Sequence, residues 1–390
     1  MDVGPQLRRI PEVDLDAVES DPRLVGLIRD EIERNGPMTF ARFMEVTLYD
    51  PESGYYRAKS ARPGRGGDFL TAPEAHPIFG RAIARHVEDV WRALRRPRDF
   101  AIRELGAGGG ALAEGILAGL AADRSDLAAT VRYRPVEVEP RRLDELRDRL
   151  AAAGVADRLE ADDGAPIVGI VLANEVLDAL PTHRVIWGDG RLREVFVGWR
   201  DSGFADEEGD PSTPALFDRL AAEGIELADG QHAEICLAVD DWIAAAAAGL
   251  RRGLLLLIDY GYPAAELYDA ARRRAGTLAA YHAQQVHDDP YRSIGRQDLT
   301  AHVDVTAVER AAARAGLVHL GTTRQGSFLD ALGAGDLLVE LQSGPDASLQ
   351  AYLEARSALV RMIDPGAMGG FRVMAFGRGL PGDVTLRGFD

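Results

Sequence analysis

Residues 99–110 read Asp-Phe-Ala-Ile-Arg-Glu-Leu-Gly-Ala-Gly-Gly-Gly, and this stretch restricts the fold most tightly. An apolar run from Phe100 to Leu105 ends in a glycine cluster, and Ala111-Leu-Ala-Glu-Gly-Ile-Leu117 then resumes at helical spacing. The pattern predicts strand, tight turn, helix. Such a turn aims backbone N–H groups and a helix N-terminus at whatever lies above the strand. Glycine is needed where a side chain would block a ligand's close approach.

Two cofactor classes use this device. Gly106-x-Gly108-x-x-Ala111 fits the loose dinucleotide pattern G-x-G-x-x-G/A. Glu104-x-Gly106-x-Gly108-x-Gly110 fits the E-x-G-x-G-x-G pattern of S-adenosylmethionine enzymes, where the acid at the strand end faces the cofactor's cationic amino-acid part. The glycines alone leave both open, together with an ordinary glycine-rich turn.

The surrounding chain supplies a parallel α/β rhythm. Strands are expected at 132–138, 167–173, 232–239, 253–259, 317–323 and 371–377, with helices at 77–94, 141–153, 240–250 and 305–315 and helical material over 327–361. Amphipathic helices are expected at 13–35 and from Thr39 to about Leu48. Residues 183–199 read as a hairpin around Gly188-Asp-Gly190, and 201–213 as an exposed acidic loop. The segment 264–311 breaks the rhythm after a core strand, where substrate-facing structure is commonly inserted.

Composition narrows the function. A net charge of −17 argues against a nucleic-acid surface and tolerates a basic peptide. One cysteine, Cys236, excludes an internal disulfide and fits a reducing compartment. The N-terminus has no apolar signal core, and the apolar stretch Trp242 to Ile258 is broken by Arg251 and Arg252. These features predict a cytoplasmic protein without membrane insertion. No G-x-S-x-G elbow and no G-x-x-x-x-G-K-[ST] loop is present.

Candidate site residues cluster after predicted strands. Glu137 or Glu139 follows the second strand, where an acid can hold ribose hydroxyls; Glu137 is preferred as nearer the strand body. Asn174, Glu175 and Asp178 follow the strand 167–173, and two carboxylates there can grip a guanidinium or simply open a helix. Asp68 and Glu74 flank a glycine-rich loop. His302 and Asp304 can form an acid/base pair or share a strand face for structural reasons. His282 and His287 are five apart, the wrong spacing for one helical face, and no metal is expected.

Several separated runs together resemble the MidA-like family of S-adenosylmethionine-dependent methyltransferases. They are Gly36–Glu45, Leu48–Tyr56, Gly67–Glu74, Glu104–Gly110, Ala173–Pro181, Asp259–Gly261 and Asp298–Asp304. The resemblance spans roughly residues 20–380. It implies a class I methyltransferase core, Rossmann-like, with a mostly parallel sheet of about seven strands and helices on both faces. It divides the chain into an N-terminal segment (1–80) closing over the site, a core (81–263), an inserted cap (264–311) and the end of the core (312–390). It implies S-adenosylmethionine as cofactor, held by Asp68, Thr71, Glu74, Glu104, Gly106, Gly108, Gly110, Glu137 and Asn174. Glu175 and Asp178, with His302, would serve an arginine acceptor in a protein such as a respiratory complex I subunit. Ala107 and Gly109 replace a proline and a larger residue of the family pattern, which should loosen the turn, and Val305 stands where the family has phenylalanine. A nicotinamide-dependent oxidoreductase, a small-molecule methyltransferase and a catalytically silent assembly factor are the rival readings.

Overall fold

The structure, a computed structural model, describes residues 18–57, 70–343, 348–382 and 384–389. Its centre is a six-stranded sheet. The strands are β1 (Phe100–Leu105), β2 (Arg132–Val136), β3 (Ile167–Asn174), β4 (Leu250–Asp259), β5 (Val318–Arg324) and β6 (Arg372–Arg378). Their order across the sheet is β5-β6-β4-β3-β1-β2. β2, β1, β3 and β4 pair in parallel, while β6 runs antiparallel to both β4 and β5.

The central strands are apolar on both sides because both sides are covered. Helices Ile78–Ala93, Ala111–Ala122 and Pro140–Ala152 bury one face. Helices Ala238–Ala248 and Val305–Arg314 bury the other. Ile102 therefore faces the first layer and Ala101 the second.

Among the described residues the central sheet has six strands, of mixed direction, where a mostly parallel sheet of about seven was expected. The stretch after Pro140–Ala152 touches the sheet through one parallel bridge, Tyr133 to Leu159, and Glu160 N–H donates to the Tyr133 carbonyl at 2.9 Å. Glu160, Asp162 and Asp163 turn instead to Arg134 and Arg103. Beyond that bridge, ion pairs hold this segment against the sheet.

A second, antiparallel sheet lies beside the core. Met38–Thr39, Arg191–Arg200, His183–Gly188 and His232–Ile235 pair in that order, and Gly203–Gly209 also pairs with Arg191–Arg200. The hairpin predicted at 183–199 is present, turning at Asp189 and Gly190, both in the left-handed region. Two expectations change. The acidic loop 201–213 contains an edge strand, because Asp206, Glu207 and Glu208 find Arg184, Arg200 and Arg193. The strand 232–239 shortens to His232–Ile235 and joins this sheet rather than the parallel one. Of the helix expected at 13–35, Pro22–Asn35 is described, capped by Asp21.

The carboxyl ends of β1, β3 and β4 line up. Leu105 pairs with Ala173, and Asn174 with Ile258. Short sheets Ala279–His282/Gln285–His287/Asp298–Thr300 and Gly261–Tyr262/Val303–Asp304 follow β4, and Asp178 C=O accepts from Ala301 N–H near this edge.

Candidate active site

The glycine turn after β1 has Gly106, Gly108 and Gly110 at φ of 74°, 52° and 82°. At Gly106 a Cβ would stand 2.7 Å from Val176 Cγ2, and at Gly110 2.6 Å from Leu146 Cγ, so left-handed backbone and close packing both demand glycine. The turn carrying Ala107 and Gly109 is held by hydrogen bonds and packing. The N–H groups of Gly106 and Ala107 donate to the Val136 carbonyl at 2.9 and 3.2 Å, and Ala107 is buried. Gly108 N–H donates to Glu137 Oε2 at 2.7 Å, while Glu137 Oε1 accepts from Glu139 N–H at 3.2 Å. Glu139 caps helix Pro140–Ala152 instead of facing the site.

Above this turn opens a cavity of about 940 Å³, lined by Thr71, Glu74, Glu104, Gly106, Gly108, Glu137, Asn174 and Glu175 among others. That volume lies near the top of the range for small-molecule sites. Glu104 is 3 % exposed, and Tyr133 Oη donates to its Oε2 at 2.7 Å. Burial pushes its carboxyl up to about 8, further raised by Glu137 and opposed by Tyr133. Asn174 Nδ2 donates to Glu175 Oε1 at 3.1 Å, and its buried Oδ1 has no hydrogen-bond partner among the described residues. Glu74 approaches Arg149 at 3.4 Å. Asp68 lies outside the described residues.

The cavity suits a cofactor with a cationic amino-acid end and a ribose. A buried carboxyl held neutral by desolvation awaits a cation, an orphaned amide oxygen awaits a donor, and the turn approaches without side chains. Glu104, Gly106, Gly108, Glu137 and Asn174 meet around one space. Gly110 belongs to the turn but packs against Leu146 rather than lining the cavity.

A second pocket, about 280 Å³, adjoins the first, and Tyr56 and Glu175 line both. Its carboxyl groups are Glu175, Asp178 and Asp298; its aromatic walls are Tyr56, Tyr260, Tyr281 and Phe371. No lysine or arginine lines it among the described residues. Tyr56 Oη donates to Asp298 Oδ1 at 2.8 Å, and Tyr260 Oη donates to Asp178 Oδ2. Asp259 accepts from the N–H groups of Val176 and Leu177 at 3.1 and 2.8 Å and so holds the segment after β3 in place. Glu175 sits at φ 53°, a conformation uncommon for a side chain of its size, with its N–H on the Ile258 carbonyl at 2.8 Å.

Crowded burial dominates the electrostatics. Desolvation raises Glu175 to about 8, reinforced by Asp178 and opposed by Asn174. Desolvation raises Asp178 to about 6 against the Tyr260 hydrogen bond. Burial also drives Asp259 upward, with Asp178 adding to it. A cation entering this pocket would be met by carboxyl groups ready to ionise against it.

The structure does not bring His302 into either pocket. Its ring packs edge-on to Tyr260 at 5.4 Å and stacks on Tyr262 at 5.5 Å. Burial, helped by Arg273, lowers it to about 4, so it is neutral near pH 7. Conversely Tyr56, Tyr260, Tyr281, Asp298 and Phe371 face the second pocket without having been singled out from sequence. Asp298 opens the run Asp298–Asp304, and Tyr260 follows a strand-ending acid, so position after a core strand was the available signal for both.

Comparison with known proteins agrees with this geometry. The profile of a family described as S-adenosyl-L-methionine-dependent methyltransferases matches residues 82–323. The protein arginine methyltransferase NDUFAF7 homolog, mitochondrial, of Drosophila melanogaster is 28% identical, over 92% of this chain and 85% of its own length. The protein arginine methyltransferase NDUFAF7, mitochondrial, of Homo sapiens is 26% identical, over 78% of this chain and 71% of its own. A Burkholderia thailandensis protein solved with bound S-adenosyl-homocysteine superposes with a TM-score of 0.85 at 34% identity, covering 92% of this chain and 93% of that one.

These names correct the cytoplasmic expectation, since the curated relatives are mitochondrial proteins. A lone cysteine reports a reducing compartment, and more than one compartment is reducing. Lack of an apolar signal core bears on secretion, whereas organelle transit peptides are amphipathic. Among the described residues no helix is long and apolar enough to cross a membrane.

Proposed function

The chain belongs to this family and is an S-adenosylmethionine-dependent methyltransferase, and from that premise we propose that its acceptor is an arginine side chain of a protein. The observation that carries the reading is the acidic, aromatic pocket sharing Tyr56 and Glu175 with the cofactor-sized cavity. A guanidinium is planar, permanently charged and suited to carboxylates in its plane and rings across its faces. Three carboxyl groups and four aromatic side chains offer both kinds of contact. The names of the Drosophila and human relatives point the same way.

Glu104, the glycine turn, Glu137 and Asn174 hold the cofactor in this reading, with Thr71 and Glu74 closing its other side. When bound, S-adenosylmethionine supplies an electrophilic sulfonium methyl; its transfer leaves the electron pair on sulfur and one proton on nitrogen to be shed. Glu175, at the junction, orients the guanidinium and concentrates electron density on the nitrogen facing the cofactor. Asp178 accepts the other N–H of that same nitrogen and Asp298 an N–H of its neighbour, and Tyr260 and Tyr56 in turn fix those two carboxyls. Tyr56 and Leu70 before the core, and Tyr281, Asp298 and Thr300 from the segment 264–311, act as walls that keep water from the junction.

A subunit of respiratory complex I is the first acceptor to test. Purified protein, methyl-labelled cofactor and an extract lacking the enzyme's own activity should yield label on arginine, located by mass spectrometry after digestion. Label on lysine or on a small molecule, with none on arginine, would replace this reading.

A further inference from the structure

Behind the acceptor pocket lies a small cavity of about 20 Å³, room for one water molecule. Asp178 is the wall between the two spaces, since it lines both. Its Oδ2 accepts from Tyr260 on the acceptor side, and its buried Oδ1 has no hydrogen-bond partner among the described residues. Three further atoms around the small cavity are likewise buried and unpaired: Thr182 Oγ1, His302 Nδ1 and Asp304 Oδ2. Asp178 and Thr182 are 7 % and 1 % exposed. Four buried polar atoms without a hydrogen bond, all on residues that line one water-sized space, describe a hydration site.

On the far side, Asp304 meets Glu223, at the end of helix Ala215–Glu223. Asp304 Oδ1 accepts from Ala307 N–H at 3.0 Å and caps helix Val305–Arg314. Both Glu223 oxygens and Asp304 Oδ2 lack a donor among the described residues, which two buried carboxyls in contact resolve by sharing one proton. Burial first and Asp304 second raise Glu223 to about 8, so the proton is held at neutral pH. Arg219 and Arg310 oppose that shift, and Tyr268 is a further polar neighbour of Asp304. Arg219 Nε lies 3.8 Å from Glu223, while its other end engages Asp240 at 2.9 Å. Exposed Arg310 donates to the Ala222 carbonyl at 2.9 Å, and exposed Ala222 and Gly224 flank Glu223, whose own carboxyl is buried.

We propose that Asp178, one water in this cavity and the Asp304–Glu223 pair form the exit route for the proton shed by the acceptor nitrogen. The inference rests on the arginine-acceptor reading. As nitrogen bonds to the methyl carbon and the carbon–sulfur bond breaks, the electron pair stays on sulfur. The nitrogen's proton passes to Asp178, which turns the protonated oxygen to the water; the water carries that proton to Asp304 Oδ2, and Glu223 releases the pair's stored proton at its helix end, beside exposed Ala222 and Gly224. One proton leaves for each methyl transferred, and every carboxyl returns to its starting state. His302, neutral beside the water, accepts a hydrogen bond from it and keeps it in place.

Three variants test the route: Glu223→Gln, Asp304→Asn, which retains a helix-capping side chain, and Thr182→Val, which removes a water partner with little change of shape. Cofactor binding by calorimetry reports whether each folds. Turnover on a methylatable arginine peptide in H2O and D2O reports the route. We expect kcat to fall about 10²-fold in the carboxyl variants, less in Thr182→Val, with KM and cofactor affinity unchanged. We also expect a solvent isotope effect that wild type lacks, because proton release becomes rate-limiting. Wild-type kcat without an isotope effect in all three folded variants overturns the route alone. A wild-type protein that methylates no arginine overturns the acceptor reading, and the route with it.

Discussion

Desolvation raises the carboxyls of buried Glu104 and half-buried Glu175 to about 8, and in the proposed reading they serve different partners. Glu104 faces the cavity beside the glycine turn, with Tyr133 behind it. Glu175 stands where that cavity meets the acceptor pocket. The two should therefore fail differently. Glu104→Gln should weaken cofactor affinity about tenfold or more, the loss of one charged hydrogen bond of about 1.5–3 kcal/mol. Glu175→Gln should leave cofactor affinity near wild type and reduce methyl transfer about 10²-fold or more. Calorimetry and a single-turnover assay on both variants check this; loss of cofactor binding in Glu175→Gln would move that residue into the cofactor set. Both acids were readable from sequence because each sits next to a strand end. Their protonation was not, because it depends on what packs around them.

At the scale of elements, the cofactor turn is positioned by a contact between helices. Helices Ile78–Ala93 and Ala111–Ala122 approach so closely that a Cβ on Gly80 would lie 2.7 Å from Gly115 Cα, and one on Gly115 2.8 Å from Gly80 Cα. Ala84 and Gly119 continue the same contact. The second helix begins directly after Gly110, so its seating sets the direction of the turn. Gly115→Val should destabilise the protein by about 1–3 kcal/mol through overpacking against backbone, and weaken cofactor binding although it touches no ligand. Denaturant unfolding and calorimetry measure the two effects; an unchanged midpoint would show that the helices separate without cost. Sequence periodicity predicted each helix, but two isolated glycines 35 residues apart do not reveal that they meet.

Across the whole molecule, buried acids give a pH dependence with a definite sign. Glu104, Glu175 and Glu223 are raised to about 8 and Asp178 to about 6, while unfolded carboxyls ionise near 4. Above the unfolded value the folded state binds more protons than the unfolded state, so stability falls as pH rises toward 8. His86 and His302, lowered to about 4 by burial, act in the opposite direction, but their effect fades above pH 6.5 as the unfolded imidazoles lose their protons. The Tm of the cofactor-free protein should therefore drop between pH 6.5 and 8. Each group titrating fully in that window contributes about 1.4 kcal/mol per pH unit. Saturating S-adenosylmethionine should reduce the drop, because a cation beside Glu104 lets it ionise at lower pH. Thermal scans at both pH values, with and without cofactor, test this; a flat Tm would show that these acids are not held neutral.

What the chain determined by itself is local. The glycine turn, the acids at the ends of β1, β2 and β3, and most helices follow from neighbouring residues whose spacing sets strand, turn or helix. The turn's conformation needs glycine at Gly106 and Gly110, and that need is written at those positions. Tertiary structure decided the rest. Beyond the sixth strand of the described sheet, the segment after Leu159 keeps one backbone bridge and is tied down by ion pairs to Arg134 and Arg103. The acceptor pocket exists because Tyr56 reaches Asp298 across 242 residues of chain. Asp178 separates that pocket from a water-sized space because Thr182, His302 and Asp304 fold behind it. Local pattern records which way a side chain alternates or a turn bends. Burial, shared protons and the meeting of distant segments are properties of the packed interior, where desolvation makes unmatched polar atoms costly and therefore informative.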